Sequence, residues 1–196
     1  MAVVLVDAGG TNIGSVRYAL QRLGADAELT ADAGAIRAAD KVILPGVGAA
    51  GPGMARLREL GLVEVMRGLT RPVLGVCLGM QLLCAHSEES DTECLGVIPA
   101  GVRRFAEAPG LRVPHMGWNR LVATRPHPLL AGLDDEAWAY FVHSYALPTG
   151  EWTLAASDFG GPFSAVVSRG NFHGMQFHPE RSAAVGATLL KNFLEL

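Results

Sequence analysis

The chain of 196 residues is poor in cysteine, and its three, Cys77, Cys84 and Cys94, form no Cys-x-x-Cys pair. An odd number at such spacings fits neither a disulfide framework nor the usual kind of zinc site. An excess of basic charge is also missing: 16 Lys and Arg stand against 19 Asp and Glu, for a net charge of −3. Affinity built on phosphate neutralisation is therefore not expected, and neither is a nucleic-acid partner. No apolar run suffices for a membrane span. The uncharged stretch Pro72 to Ala85 is interrupted by Gly75, Gly79 and Gln81, and it falls short of the roughly 18 apolar residues a spanning helix needs. Ala2 to Val6 is apolar, but no basic residue precedes it and it stops at Asp7, which is too short for a signal peptide. The expectation is a cytoplasmic protein with no membrane partner.

What is present is the makings of a globular core. Hydrophobic residues are 49% and charged residues 18% of the chain, which excludes a disordered chain or a coiled coil. A typical domain has about 150 residues, so a single domain over 1–196 is expected. No repeat, linker or low-complexity segment marks a boundary.

In the first half, short β-rich runs alternate with helical patterns, the mark of βαβ units and a parallel sheet. Val3 to Val6, Lys41 to Leu44 and Val73 to Val76 read as strands. Ile13, Val16, Leu20 and Leu23 give one helical stripe, with Asn12 as cap and Gly24 as stop. Pro45 to Gly53 reads as a loop, and Met54, Leu57 and Leu60 resume a helix. A further helix carries Leu78, Leu82 and Ala85, with Cys84 on it. Later, Val102 to Phe105, Ala139 to His143, Thr153 to Ala156, Ala165 to Ser168 and His173 to Phe177 are strand candidates with few helices between. They predict an antiparallel extension of the sheet. Ser182 is read as the cap of a last helix with Val185, Leu189 and Phe193 on one face.

Two segments carry chemistry. In Gly75-Val-Cys77-Leu-Gly79 a thiol lies between two glycines where a strand turns into a helix, the construction of a nucleophile elbow. Glycines suit a tight turn whose neighbours must lack side chains. The helix N-terminus favours thiolate over thiol and offers N–H groups to an oxyanion. Cys84 and Cys94 are read as packing or surface residues. In Gln176-Phe-His178-Pro-Glu180, the imidazole and the carboxylate two residues on point the same way if the backbone is extended, so that Glu180 orients His178. The other five histidines are read as ordinary core or surface residues.

Gly75-Val-Cys77-Leu-Gly-Met-Gln81 together with His178-Pro-Glu180 resembles the triad-type, class I glutamine amidotransferases. Three further segments, Pro45-Gly-Val-Gly48, Val113-Pro-His-Met-Gly-Trp-Asn119 and Tyr140-Phe-Val-His-Ser-Tyr145, are similar to the glutaminase subunits of imidazole glycerol phosphate synthase. The resemblance runs from the first strand to the last helix. It implies a flavodoxin-like α/β fold with a mostly parallel central sheet, and a Cys77, His178, Glu180 triad that hydrolyses glutamine through a thioester. By the same resemblance, Gly46, Val47, Gly48 and Leu78 would form the oxyanion hole, and Gln81, Ser144 and Tyr145 would bind glutamine. Trp118, Asn119 and Arg181 would face a (β/α)₈ cyclase subunit as heterodimer partner, and no metal or organic cofactor is implied.

One segment departs from the family pattern. Asp7-Ala-Gly-Gly-Thr-Asn12 is reminiscent of the phosphate loop of sugar kinases. Such kinases need two domains and a hairpin after that loop, whereas the pattern here continues as a helix. Three alternatives remain: a sister amidotransferase, a freestanding cysteine hydrolase of the same fold, and a non-catalytic binding subunit.

Overall fold

The computed structural model describes residues 1–9, 13–46 and 48–196. Asn12, read as a helix cap, and Val47, read as part of the oxyanion hole, lie outside the described residues, as does the second half of the Asp7 to Asn12 turn. In the first half the chain forms β1 (Val3–Val6), α1 (Ile13–Arg22), β2 (Ala27–Thr30), α2 (Ala33–Ala38), β3 (Lys41–Gly46), α3 (Ala50–Glu59), α4 (Val63–Arg67), β4 (Val73–Cys77) and α5 (Leu78–Leu82). The second half is rich in strands: β5 (Cys84–Ser87), β6 (Thr92–Glu93), β7 (Ile98–Arg104), β8 (His115–Arg120), β9 (Val122–Ala123), β10 (Trp138–His143), β11 (Tyr145–Ala146), β12 (Thr153–Asp158), β13 (Pro162–Arg169) and β14 (Phe172–Met175). It closes with α6 (Ala183–Glu195).

The main sheet has the order β2-β1-β3-β4-β14-β13-β12-β9. Its first five strands are parallel and the last three continue antiparallel, which is the expected architecture. A two-stranded sheet, β10 with β8, and a four-stranded one, β11-β7-β5-β6, stand beside it. Each central strand is buried on both faces because successive side chains serve different cores. Val3 and Leu5 pack with Val16 and Leu20 of α1 and Phe193 of α6. Val4 and Val6 pack with Met54 and Leu57 of α3 on the other side.

Several boundaries differ from the sequence reading. Pro45 and Gly46 extend β3 because β4 pairs with them. The supposed loop ends early, since α3 starts at Ala50. Pro52 lies in its first turn, where a missing N–H costs nothing. The Ala50 N–H donates to Glu89 Oε2 at 2.8 Å. Cys84 and Ala85 are not helical, for α5 is only five residues long and Cys84 opens β5, paired with Ile98 of β7. β14 ends at Met175, so Gln176 and Phe177 lie beyond it. Ser182 precedes α6 but makes no side-chain cap to it. No helix among the described residues is long and apolar enough to cross a membrane.

Candidate active site

Cys77 ends β4 with φ 54° and ψ −113°, a backbone conformation that a residue with a side chain adopts only when its surroundings impose it. The surroundings here are tight. A Cβ on Gly79 would come within 1.8 Å of the Leu44 carbonyl oxygen, and one on Gly75 within 2.6 Å of the Gly79 backbone. The two glycines thus let α5 press onto β3 and β4 and force the chain into the sharp turn. One correction concerns electrostatics. With five residues, α5 is barely more than one turn, so the free N–H groups beside Leu78 act locally and no long helix stands behind them.

The last strand of the parallel set delivers the partner. β14 lies beside β4 with Gly174 opposite Gly75 and Met175 opposite Val76, so the chain leaves the sheet next to Cys77. His178 has an extended backbone, but Pro179–Arg181 is a 3₁₀ turn. The imidazole and carboxylate therefore meet across a turn and not along a strand as the spacing suggested. His178 Nδ1 lies 3.0 Å from Glu180 Oε1. Ser182 holds the turn from beneath: its hydroxyl donates to the His178 carbonyl at 2.7 Å and accepts from the Tyr140 N–H at 2.9 Å. The His178 N–H in turn donates to the Tyr140 carbonyl at 3.0 Å. Burial pushes the His178 imidazole down, but hydrogen bonds to Cys77 and Glu180, and their negative charges, more than reverse this and raise it to about 10. An imidazolium at His178 is the state such an environment favours.

Cys77 and His178 open into one cleft of about 350 Å³, which Gly48, Leu78, Gln81, Ser144 and Tyr145 also line. The structure thus brings the substrate candidates and two of the described oxyanion candidates, Gly48 and Leu78, to one cleft, while Gly46 is not among its lining residues. Gly48, at φ +95°, adopts a left-handed conformation that favours glycine. Gly46 pairs with Cys77 across β3 and β4. Gln81 is buried, and its Nε2 donates to the Tyr145 carbonyl at 2.9 Å and to Gln176 Oε1 at 3.0 Å. That end of the amide is engaged within the protein. Sequence reading missed Glu89, the one carboxylate among the described residues that line the cleft. It sits in an acidic stretch, Glu88 to Asp91, that no spacing distinguishes from a solvated loop.

Comparison with known proteins fits this geometry. The family model of class-I glutamine amidotransferases matches residues 4–196. The chain belongs to that family. Its relatives include imidazole glycerol phosphate synthase subunit HisH of Xanthomonas axonopodis pv. citri, 60% identical over 99% of this chain and 97% of the relative. The HisH of Xylella fastidiosa strain Temecula1 is 57% identical with the same coverage. Among solved structures, a glutamine amidotransferase matches with a TM-score of 0.76 at 25% identity, over 99% of this chain and 98% of that one.

In this class-I amidotransferase the three residues expected to face a partner differ in their surroundings. Trp118 is 51% and Met116 63% exposed, on the same face of β8. Tyr140 pairs opposite Trp118, and the Arg181 guanidinium stacks over its ring at 4.2 Å. Asn119 points the other way. Its Nδ2 donates to the Asp158 carbonyl at 2.7 Å and lies 3.2 Å from His115 Nε2, while its Oδ1 accepts from the Arg120 N–H. A partner-facing role therefore does not suit Asn119.

Proposed function

We propose that this chain is the glutaminase subunit of an imidazole glycerol phosphate synthase, acting in histidine biosynthesis as a single cytoplasmic domain over residues 1–196. The observation that carries the reading is a strained elbow cysteine and a glutamate-paired histidine on one cleft, in a chain 60% identical to a HisH subunit.

Cys77 attacks the side-chain amide carbon of glutamine as thiolate, with its proton held on His178. The tetrahedral oxyanion accepts hydrogen bonds from the Leu78 N–H and from backbone of the Gly46 to Gly48 segment. Collapse breaks the C–N bond, and His178 gives its proton to the leaving ammonia. Water deprotonated by His178 then cleaves the glutamyl thioester, releasing glutamate and returning Cys77 as thiolate beside the protonated His178. Glu180 fixes the tautomer and orientation of the ring throughout. Glu89 offers a negative charge in the cleft to the substrate's α-ammonium group, with Gln81, Ser144 and Tyr145 around the rest.

Ammonia passes to a cyclase subunit with a (β/α)₈ barrel, which makes imidazole glycerol phosphate and AICAR. The face that carries Met116, Trp118, Tyr140 and Arg181 suits that partner, because aromatic residues and arginine dominate interface energetics. The deciding experiment measures glutamate release by the purified chain, alone and with the cyclase and its nucleotide substrate. Low activity alone that rises by orders of magnitude with both is the expected result. Full activity alone would replace the reading with a freestanding hydrolase.

A further inference from the structure

From the cleft wall, where His143 and Tyr145 line it, into the core, four polar groups form a chain whose polarity can be read from both ends. At one end, the Tyr145 carbonyl only accepts, and His143 Nδ1 lies 2.8 Å from it. His143 must therefore carry its hydrogen on Nδ1, which leaves Nε2 bare in the neutral ring. At the other end, Asn119 is fixed by the Asp158 carbonyl, which needs a donor, and by the Arg120 N–H, which needs an acceptor. Its Nδ2 thus presents a hydrogen to His115 Nε2 at 3.2 Å. A neutral His115 then bears its own hydrogen on Nδ1, which lies 3.0 Å from the bare His143 Nε2. The two deductions meet in one N–H···N bond of the correct direction.

The surroundings keep both rings neutral. His115 is stacked between Phe141 and Phe159, with centroids 5.0 and 4.4 Å away, and Phe105 and Phe163 meet both histidines. The titratable group that faces His143 besides His115 is His178, whose charge further opposes a proton there. Burial holds His143 down to about 3 and His115 to about 4.

We infer that Asn119, His115 and His143 are positioning residues that lock the Tyr145 peptide and, through it, Gln81 in the glutamine cleft. Tyr145 O receives one hydrogen from His143 Nδ1 and another from Gln81 Nε2, so both of its lone pairs are engaged. With the other His143 tautomer, two lone pairs would face each other, the carbonyl would turn away, and Gln81 would lose an anchor. The relay also ties the cleft to β8, whose opposite face carries the exposed Trp118. This rests on the proposed binding of glutamine in that cleft.

The test has two independent readouts on the full-length chain. Nitrogen-15 NMR of the histidines near pH 7 should find His115 and His143 both neutral and both protonated on Nδ1. An Nε2–H tautomer or an imidazolium at either site overturns the relay whatever the activity. The second readout is glutamine binding by calorimetry in a Cys77→Ala background. His115→Phe removes the donor to His143 and should weaken binding about tenfold, the scale of one mis-set buried hydrogen bond. His115→Asn, which retains a donor near the Nδ1 position, should restore most of it. Equal binding by the Phe variant, or no rescue by the Asn variant, overturns the positioning role. Absence of glutamine binding in the parent background would overturn the functional reading instead, and the tautomers would still decide the relay.

Discussion

Gly174 stands opposite Gly75 in the parallel pairing of β14 with β4. From that register both chains leave the sheet at the same level, one into Cys77 and the other into Gln176, Phe177 and His178. A slip of one residue would reverse every side chain of β14, so the sheet core and the site enforce the same alignment. Side chains from distant parts of the sequence meet here because a strand near the chain's end inserts beside a central one.

The elbow should tolerate no side chain at Gly79. The atom a Cβ would strike is the Leu44 carbonyl oxygen, at 1.8 Å, and a backbone atom of a central strand cannot swing aside. Gly79→Ala should lower the urea midpoint by the equivalent of about 3 kcal/mol, the upper part of the usual overpacking range, and remove glutaminase activity. An unchanged midpoint would mean that α5 is free to move off β3.

Glu180→Gln keeps the shape of the side chain and removes its charge. The His178 imidazole should then titrate well below about 10, followed by NMR of the ring. Because an amide can also present a hydrogen to Nδ1, the wrong tautomer becomes accessible, and glutamate release should drop about 10²- to 10⁴-fold, as in other triads. An unaltered titration would show that Cys77 alone sustains the raised value.

Much of this site was legible because it is local. The glycines around Cys77 and the spacing of His178 and Glu180 can be read within a few residues, and so can the change from βα alternation to strand after strand. The unread parts depend on residues far along the chain. β2 and α2 are short and only partly buried, so hydrophobic periodicity barely registers them. The start of α3 inside a Gly- and Pro-rich run depends on Glu89, 39 residues away. The His115 and His143 contact exists because β8 and β10 pair those residues directly, and β8 itself was not foreseen. Ser182 has the sequence position of a cap, yet its hydroxyl serves His178 and Tyr140.

Acid should destabilise the protein through its buried imidazoles. Burial holds His173 down to about 4, alongside His115 and His143. Below the ordinary pKa of 6.5 the unfolded chain takes up protons that the folded one refuses, so stability falls as pH drops from 6.5 toward 4. Each such ring contributes a slope of about 1.4 kcal/mol per pH unit. His178 runs the other way: its contribution is complete below 6.5 and is lost as pH rises through about 10. His173 Nδ1 is buried with no hydrogen-bond partner among the described residues, so His173→Phe should leave stability at pH 7 nearly unchanged and flatten the acid slope. Urea unfolding at pH 7 and pH 5 measures both, and an equal slope in the variant would refute the assignment.

Control of the proposed activity should lie in the oxyanion segment more than in the thiol. A free cysteine is already a few per cent thiolate near pH 7, so full deprotonation gains only roughly 30-fold. A missing oxyanion donor costs about 100- to 1,000-fold. Gly48 lines the cleft at φ +95°, whereas proline is locked near −65°. Gly48→Pro therefore cannot adopt this backbone and should abolish stimulation of glutamate release by the cyclase. Alkylation of Cys77, which needs the thiolate but no oxyanion donor, should continue at nearly the parent rate. If alkylation and hydrolysis are lost together, the substitution has damaged the elbow itself and the segment is not a separate switch. If hydrolysis survives, Gly48 is not a required donor, and the Leu78 N–H and the rest of the segment are the remaining candidates.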